Sequence, residues 1–394
     1  MTTSALSSRN FLIYLAGSVV SLHGLWVYRV ALAWFAWQLS ASEFWVGIVA
    51  FTQFAPAVVF GPLFGVLADR FDRRRASVLI NTLSSMNMLL LFVLTSLGHV
   101  DIVVLTIISL MQGTLEGAHT PVRMTIVPNL VNKEQLQSAI AHMSISFNVS
   151  RFIGPALSGI IIATYGVGTA FAVNGVSFLA FVAAILIVRL KPAADRSAAP
   201  GDVWSDLLVG VRYVLGHGAI RALLIIIAVA SIFGRGALEM MPALADLVFQ
   251  RGSSGLAILT SAIGAGAIAT GLILVRSTTW LSTRSIRISV GIGGILIAIL
   301  GANDTFWIAI PVVASLGVVL TLCGVGSQIL IQNLVDDELR GRVSSFWGMI
   351  AFGGTAIGSL IVGLASVVFG LQNTIIATGL LCSLATLLTS ERAR

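Results

Sequence analysis

Ionisable side chains recur at helical spacing inside otherwise apolar parts of this sequence. One stretch carries polar residues at intervals of three or four, which places them on one helix face: Ser109, Gln112, Glu116, His119 and Arg123. A second stretch repeats the arrangement with Ser231, Arg235, Glu239 and Asp246. Buried ionisable groups of this kind can exchange protons or bind the charge of a solute. The two stripes are therefore the first candidates for a functional site.

Three further polar residues extend this set: Arg29, Asn148 and Arg151. The simplest alternative reading is that Arg235 and Glu239, four residues apart on one face, neutralise each other as a buried ion pair. Three buried arginines cannot pair one to one with the two deep carboxylates, however. The histidines of these stretches can titrate near neutral pH, but on a polar helix face they more often form structural hydrogen bonds: His23, His119 and His142.

The elements that position these residues are membrane spans. Apolar residues make up 57% of the 394 residues and the mean hydropathy is +0.98. A helix needs about 20 apolar residues to cross the hydrocarbon core. Twelve such runs occur: 11–37, 43–68, 76–97, 102–124, 137–163, 168–189, 220–247, 254–275, 285–302, 305–332, 344–369 and 371–389. The first run is too long for a cleaved signal peptide, so we expect it to stay in the membrane. The fold class predicted is an all-α membrane protein with twelve transmembrane helices in two six-helix halves.

Basic residues are distributed unevenly among the connections between these runs. Of 23 lysines and arginines, 19 lie in the termini or in even-numbered connections, and only Arg251 lies in an odd-numbered one. By the positive-inside rule, both termini and the basic cluster at 70–75 are cytoplasmic. The net charge of +7 is thereby explained by membrane topology, and we expect no nucleic-acid partner.

An internal repeat divides the chain. At a shift of 204 residues, the sequence "NLVNKE" at 129–134 aligns with "NLVDDE" at 333–338, and three glycines align with three others. The polar segment 191–203 contains Pro192 and Pro200, which is typical of a linker. It is followed by an apolar pattern at helical spacing that predicts a short helix on the membrane surface. We therefore predict halves at 1–190 and 220–394, joined by a cytoplasmic linker at 191–219, which is a transporter plan.

The loop between spans two and three carries a recognisable motif, and its residues are Gly65, Asp69, Arg70, Arg73 and Arg74. The motif resembles that of the major facilitator superfamily, and the string D-R-F-D-R-R is similar to that of the enterobactin exporters and the related macrolide and tetracycline efflux proteins. Gly154, Pro155 and Gly159 in span five resemble the Gly-Pro motif of superfamily antiporters. The resemblance implies that spans one, four, seven and ten line a central cavity. It also implies that Asp69 meets the start of span eleven as a cytoplasmic gate, and that the three arginines tie helix ends together.

One departure from the family pattern limits this transfer. Ser109 stands where many drug antiporters carry an arginine, three residues before the Gln112–Gly113 pair. The coupling scheme attached to that arginine therefore does not carry over. The glycine and proline residues of span five can also be explained by helix packing alone. This explanation is compatible with a kink that helps the helices to seal and rock.

The inventory of chemical motifs gives little support to an enzyme. Cys323 and Cys382 lie inside apolar runs, and the sequence has neither metal-ligand spacing nor a Walker loop nor a G-x-S-x-G elbow. We predict no cofactor and no metal. The remaining hypothesis is a monomeric proton-driven exporter of a drug-like or siderophore-like organic molecule in the cytoplasmic membrane, working by rocking of the two halves. The alternatives are a proton-coupled uptake symporter and, third, a non-transporting membrane protein or membrane enzyme.

Overall fold

The computed structural model describes residues 4–70, 72–190, 211–336 and 339–388. Within these ranges twelve helices are long and apolar enough to cross a membrane. They are α1 Arg9–Ser40, α2 Glu43–Arg70, α3 Arg73–Ser96, α4 Ile102–Ile126, α5 Leu136–Tyr165, α6 Val167–Ile187, α7 Gly218–Val248, α8 Gly252–Arg276, α9 Thr283–Ala302, α10 Phe306–Leu334, α11 Arg340–Phe369 and α12 Leu371–Leu388. Each end lies within four residues of the predicted run, so the all-α class and the twelve spans are confirmed.

Polar side chains at several helix starts explain why the helices begin where they do. The Ser8 hydroxyl accepts a hydrogen bond from the Phe11 N–H and caps α1. Asp72 accepts from the Arg75 N–H at 2.8 Å and caps α3, and Asp101 accepts from the Val104 N–H at 2.7 Å and caps α4. Each cap satisfies a backbone donor that the first turn leaves without an intrahelical partner. Asp72 therefore has a local structural role within the basic loop.

The aligned glycines of the internal repeat make corresponding contacts. Gly166 and Gly370 both have φ of +82° and end α5 and α11, so each permits the next helix to start at once. Gly154 lies against Trp26 of α1, whereas its counterpart Gly358 lies against Ile232 of α7. The next pair follows the same rule: Gly159 of α5 meets α8, and Gly363 of α11 meets α2. Helices α1 and α7 thus occupy equivalent places, as do α2 and α8.

Two helices of the second half are not regular. Helix α7 contains π-helical turns at Ala230–Arg235 and Leu244–Val248, and α10 contains one at Leu322–Gly326. Such turns insert an extra residue into the helix and often occur at functional sites. The first of them ends at Arg235, which re-aims that side chain relative to a regular α-helix. Pro155 lies inside α5, which continues as one helix through it.

The two halves of the bundle are joined at one end. At the end that carries the α1–α2 turn, the Trp37 Nε1–H donates to the Asp246 carboxylate at 2.9 Å, which joins α1 to α7. Ser359 of α11 donates to the Gly47 carbonyl of α2 at 3.2 Å. We call this the closed end.

Parts of the predicted linker and gate lie outside the described residues. The structure describes 211–216 as helical, which is the last part of the predicted surface helix, and 191–210 lie outside it. Asp69 and Arg70 belong to the last turn of α2, but their side chains are not among those described, and the same holds for Gly65. The contact of Asp69 with span eleven, and the domain limits at 190 and 220, therefore stay predictions.

Candidate functional site

The centre of the bundle holds an ion pair between the first and the fourth helix. The Arg29 guanidinium donates to the Glu116 carboxylate at 3.2 Å, and the two side chains are 23% and 20% exposed. Both residues lie near the middle of their helices. In the part of the chain that the structure describes, this is the one ion pair within 4.0 Å. The pair therefore joins α1 to α4 at membrane depth, where the first polar stripe was predicted to face a cavity.

An indole ring gathers two of the buried arginines. Arg29 lies over the Trp26 ring at 5.1 Å from its centroid, and Arg151 of α5 lies over the same ring at 5.7 Å. Arg29 also lies 5.7 Å from the centre of the Phe54 ring on α2. Cation–π contacts of this kind partly compensate for the water that a buried guanidinium loses. The negative face of Trp26 is thus shared by two cations that repel each other.

The second half contributes Arg235 and Glu239, which belong to one helix but do not form an ion pair within 4.0 Å in the described structure. The charge of Arg235 acts on Arg151, together with that of Arg29. Glu239 interacts electrostatically with Arg29 and with Arg235. A π turn ends at Arg235, and Glu239 follows the short helical segment after it. Arg29 thus contacts Glu116 directly and acts on Glu239 only from beyond 4.0 Å, and Arg235 and Glu239 influence each other without an ion pair among the described residues.

A small cavity extends from Glu116 along α4. It has a volume of about 40 Å³, and its lining includes Glu116, His119, Arg123 and Phe181. The His119 Nε2 atom has no hydrogen-bond partner among the described residues. The ring packs edge-on against the Phe181 ring, with 5.8 Å between the ring centroids. A water molecule needs roughly 10–15 Å³ of such volume, so the cavity has room for water beside both groups. His119 and Glu116 therefore both line this cavity.

Other predicted residues point elsewhere. Gln112 is fully buried and accepts a hydrogen bond from Asn87 of α3 at 3.3 Å, which places it between helices of its own half. Asn148 donates to the Ser144 carbonyl of its own helix at 2.9 Å. The ring of His23 bonds to Ser150 at 3.0 Å. The structure thus pairs Arg29 with Glu116 and places Arg151 at the same indole ring, and Arg235 and Glu239 act on this group electrostatically. Among the described residues, the side-chain hydrogen bonds of Gln112 and Asn148 go elsewhere.

The basic loop shows one contact of the type that was expected for a helix tie. The Arg74 guanidinium donates to the carbonyl oxygens of Leu186 and Val188 at the end of α6, the second at 3.2 Å. Cationic side chains are favoured at this negative end of a helix. Arg73 begins α3. A gating role for either arginine stays a prediction.

Aromatic residues of the site were not singled out from the sequence. Trp26 packs against Phe147 at 5.9 Å, and Phe54 of α2 stacks on Phe352 of α11 at 6.4 Å with an interplanar angle of 19°. Trp26 precedes Arg29 by three residues, which places both on one helix face. The sequence alone therefore indicated that Trp26 lies beside Arg29. The stacking of Phe54 on Phe352 joins positions 298 residues apart, and no local pattern indicates it.

Comparisons with known proteins agree with this architecture. A family model described as "transmembrane secretion effector" matches residues 2–393. The chain belongs to this family of the major facilitator superfamily. Among its relatives, the staphyloferrin A transporter of Staphylococcus aureus is 28% identical and the alignment covers 93% of this chain and 92% of that protein. The multidrug efflux pump Tap of Mycolicibacterium fortuitum is 25% identical over 89% and 88% of the two chains.

Solved structures of the superfamily share the fold at low sequence identity. The crystal structure of the nucleoside transporter NupG superposes with a TM-score of 0.76 at 12% identity and covers 97% of this chain and 98% of that one. The transporter fold and the efflux branch predicted from the loop motif are thereby confirmed. As a superfamily member, the chain is a multi-pass membrane protein that moves small molecules.

Proposed function

We propose that this secretion-effector family member exports an organic molecule of the drug or siderophore class in exchange for protons. The observation that carries the proposal is the Arg29–Glu116 pair in the middle of a bundle whose halves are joined at the closed end. A carboxylate held by a cation at membrane depth can be protonated when the cation is drawn away. The names of the relatives, a siderophore transporter and a multidrug efflux pump, support the same class of solute.

The charge distribution supports an orientation. With 19 of 23 basic residues in the termini and even-numbered connections, both termini face the cytoplasm. The closed end then faces outward, and the opposite end, which we propose is the open end in this state, faces the cytoplasm. We propose that substrate enters from the cytoplasm and that the halves rock to open the other end. Because each chain holds a complete set of cavity helices, the working unit is a monomer in the cytoplasmic membrane.

Arg29 can couple the two carboxylates because it interacts with both. In the proposed cycle Glu116 and Glu239 accept protons from outside when the closed end has opened. The two carboxylates release these protons to the cytoplasm when the open end has opened again and Arg29 has returned to them. Substrate moves in the opposite direction. When Arg29 moves away from a carboxylate, the neutral form of that carboxylate is favoured. This movement of Arg29 links proton binding to solute binding.

The direction of transport decides between export and uptake. Everted vesicles that overexpress the protein and hold an acid-inside gradient, followed by a quenched acridine dye, should lose quenching when a transported macrolide or siderophore is added. An exchanger releases lumenal protons as it takes up the solute. Vesicles from cells without the gene serve as the control. If the same solutes accumulate only when the gradient is reversed, the protein is an uptake symporter and export is wrong.

The closed end should depend on the hydrogen bond between Trp37 and Asp246. A hydrogen bond to a charged group contributes about 1.5–3 kcal/mol when it is shielded from water. Trp37→Phe keeps the ring and removes the donor, so the closed end should open roughly tenfold more often. The measurement is thiol labelling of Ala245→Cys, a fully buried position at that end, with Cys323 and Cys382 replaced.

A second tryptophan at the same end provides the control. Trp307 is 68% exposed, so Trp307→Phe should leave the labelling rate unchanged. If Trp37→Phe labels no faster than Trp307→Phe, the bond to Asp246 does not hold the closed end.

A further inference from the structure

We propose that the central site binds an organic anion, with a carboxylate of the solute held by Arg151 and Arg235 and its apolar part packed beside Trp26 and Phe54. The inference rests on the proposed transport function and names its substrate class. It follows from three features of the site: its charge balance, the surroundings of the two arginines, and the aromatic residues beside them.

The charge balance of the site is positive. Arg29, Arg151 and Arg235 supply three positive charges, whereas Glu116 and Glu239 supply two negative ones, which leaves an excess of one. A cationic solute would meet this excess of positive charge at short range, and like charges repel strongly where water is scarce. An anion is the solute whose charge the site complements.

The two arginines that lack a carboxylate partner are Arg151 and Arg235. Neither has a carboxylate oxygen within 4.0 Å, and neither donates a side-chain hydrogen bond, among the residues that the structure describes. They come from opposite halves, α5 and α7, and the charge of Arg235 acts on Arg151. A guanidinium binds a carboxylate through two parallel hydrogen bonds. A solute carboxylate between them would therefore remove their repulsion and would also bridge the halves.

The adjacent surface is aromatic. Trp26 lies beneath Arg151 and Arg29, and Phe54 lies beside Arg29 and stacks on Phe352 of the other half. Aromatic faces accept apolar or aromatic groups and add little cost in side-chain entropy. The arrangement fits a solute that carries both a carboxylate and an apolar or aromatic body. Inorganic anions would use the arginines but gain nothing from the rings.

The proposal predicts discrimination between an acid and its neutral isostere. Isophthalate is a rigid aromatic dicarboxylate, and isophthalamide has nearly the same shape without charge. With purified protein in detergent, calorimetric titration should give a dissociation constant for isophthalate at least tenfold below that for isophthalamide. Raising the salt concentration should weaken the binding of the acid and leave that of the amide unchanged. This comparison needs no variant. Equal affinities, or no saturable binding of either compound up to its solubility, would overturn the proposal.

Variants then test the two arginines. Arg151→Gln and Arg235→Gln should each weaken isophthalate binding at least tenfold, and lysine at either position should restore part of it, because lysine keeps the charge without the paired donors. The matched control is Arg284→Gln, since Arg284 is exposed at the start of α9, away from the site. If the two glutamine variants elute as monodisperse protein and bind isophthalate as the parent does, the assignment is wrong.

The outcome separates this inference from the proposed function. Binding in detergent requires no gradient and no transport. If vesicles export neutral solutes while purified protein does not bind isophthalate, export stands and the anion site falls. If isophthalate binds selectively while no solute dissipates the proton gradient, the anion site stands and proton-driven export falls.

Discussion

Export driven by a pH gradient should be abolished when Glu116 or Glu239 is replaced by glutamine. Glutamine keeps the size of the side chain but neither carries a negative charge nor exchanges a proton near neutral pH. Glu116→Gln leaves Arg29 without its ion-pair partner, and Glu239→Gln removes the carboxylate of the other half that interacts with it. In proteoliposomes with a pH gradient we expect solute flux to fall at least tenfold in each variant. Exchange of labelled for unlabelled solute without a gradient should persist.

Stability has to be separated from coupling in this experiment. Breaking a buried ion pair costs roughly 3–5 kcal/mol when it is fully shielded, and less here because both side chains are about a fifth exposed. Glu116→Asp keeps the charge and should retain part of the gradient dependence. Asp304→Asn removes an exposed carboxylate near the closed end and should change nothing. Full gradient dependence in both glutamine variants would refute the role of these carboxylates.

The sequence was sufficient for the architecture because membrane solvation leaves few alternatives. A backbone in hydrocarbon must satisfy its own hydrogen bonds, so every long apolar run becomes a helix. The run lengths therefore predicted all twelve spans closely. The repeat of glycines was equally readable, since a residue at φ of +82° after α5 and after α11 favours glycine at both places.

The site was only partly predictable because a polar stripe specifies a face and not what that face meets. Gln112 and Glu116 lie four residues apart, yet Gln112 bonds to Asn87 of α3 while Glu116 pairs with Arg29 of α1. A helix face is wide enough to contact two neighbours, and sequence spacing does not say which one each residue meets. The π turns before Arg235 and before Phe249 were also invisible, since they shift the helical register without a distinctive residue pattern.

Contacts between the halves are the part that local patterns cannot give. Asp246 was grouped with Arg235 and Glu239 by spacing alone, but its partner is Trp37, 209 residues away. The bond lies at the closed end and not in the central site. Residues of one stripe can thus serve two purposes along a helix: one part lines the site, and another part seals the bundle. Only the packing of α1 against α7 shows which residues of the stripe belong to each part.

Closure of the bundle should fail when a large side chain is placed between α2 and α11. A Cβ at Gly363 would lie 2.6 Å from the Glu43 carbonyl oxygen and 3.3 Å from the Gly47 Cα, so the two backbones touch there. Small residues permit such approach in membrane helices, and a leucine side chain cannot be accommodated without separating them. We expect Gly363→Leu to hold the closed end open and to reduce transport at least tenfold. A cysteine at Ala245, fully buried at that end, should become accessible to a water-soluble thiol reagent.

The same substitution elsewhere on α11 shows whether the effect comes from this contact. Gly348 belongs to the same helix, but no heavy atom of the described residues lies within 4 Å of its Cβ position, so Gly348→Leu leaves the closed end unobstructed. Labelling of the cysteine at 245 should then stay at the rate of the parent protein, whereas Gly363→Leu should raise it tenfold or more. That difference corresponds to about 1.4 kcal/mol of shift between the two states for each factor of ten. If Gly363→Leu folds, transports and labels as Gly348→Leu does, the contact between α2 and α11 is not required for closure, and sealing must rest on α1 and α7 alone.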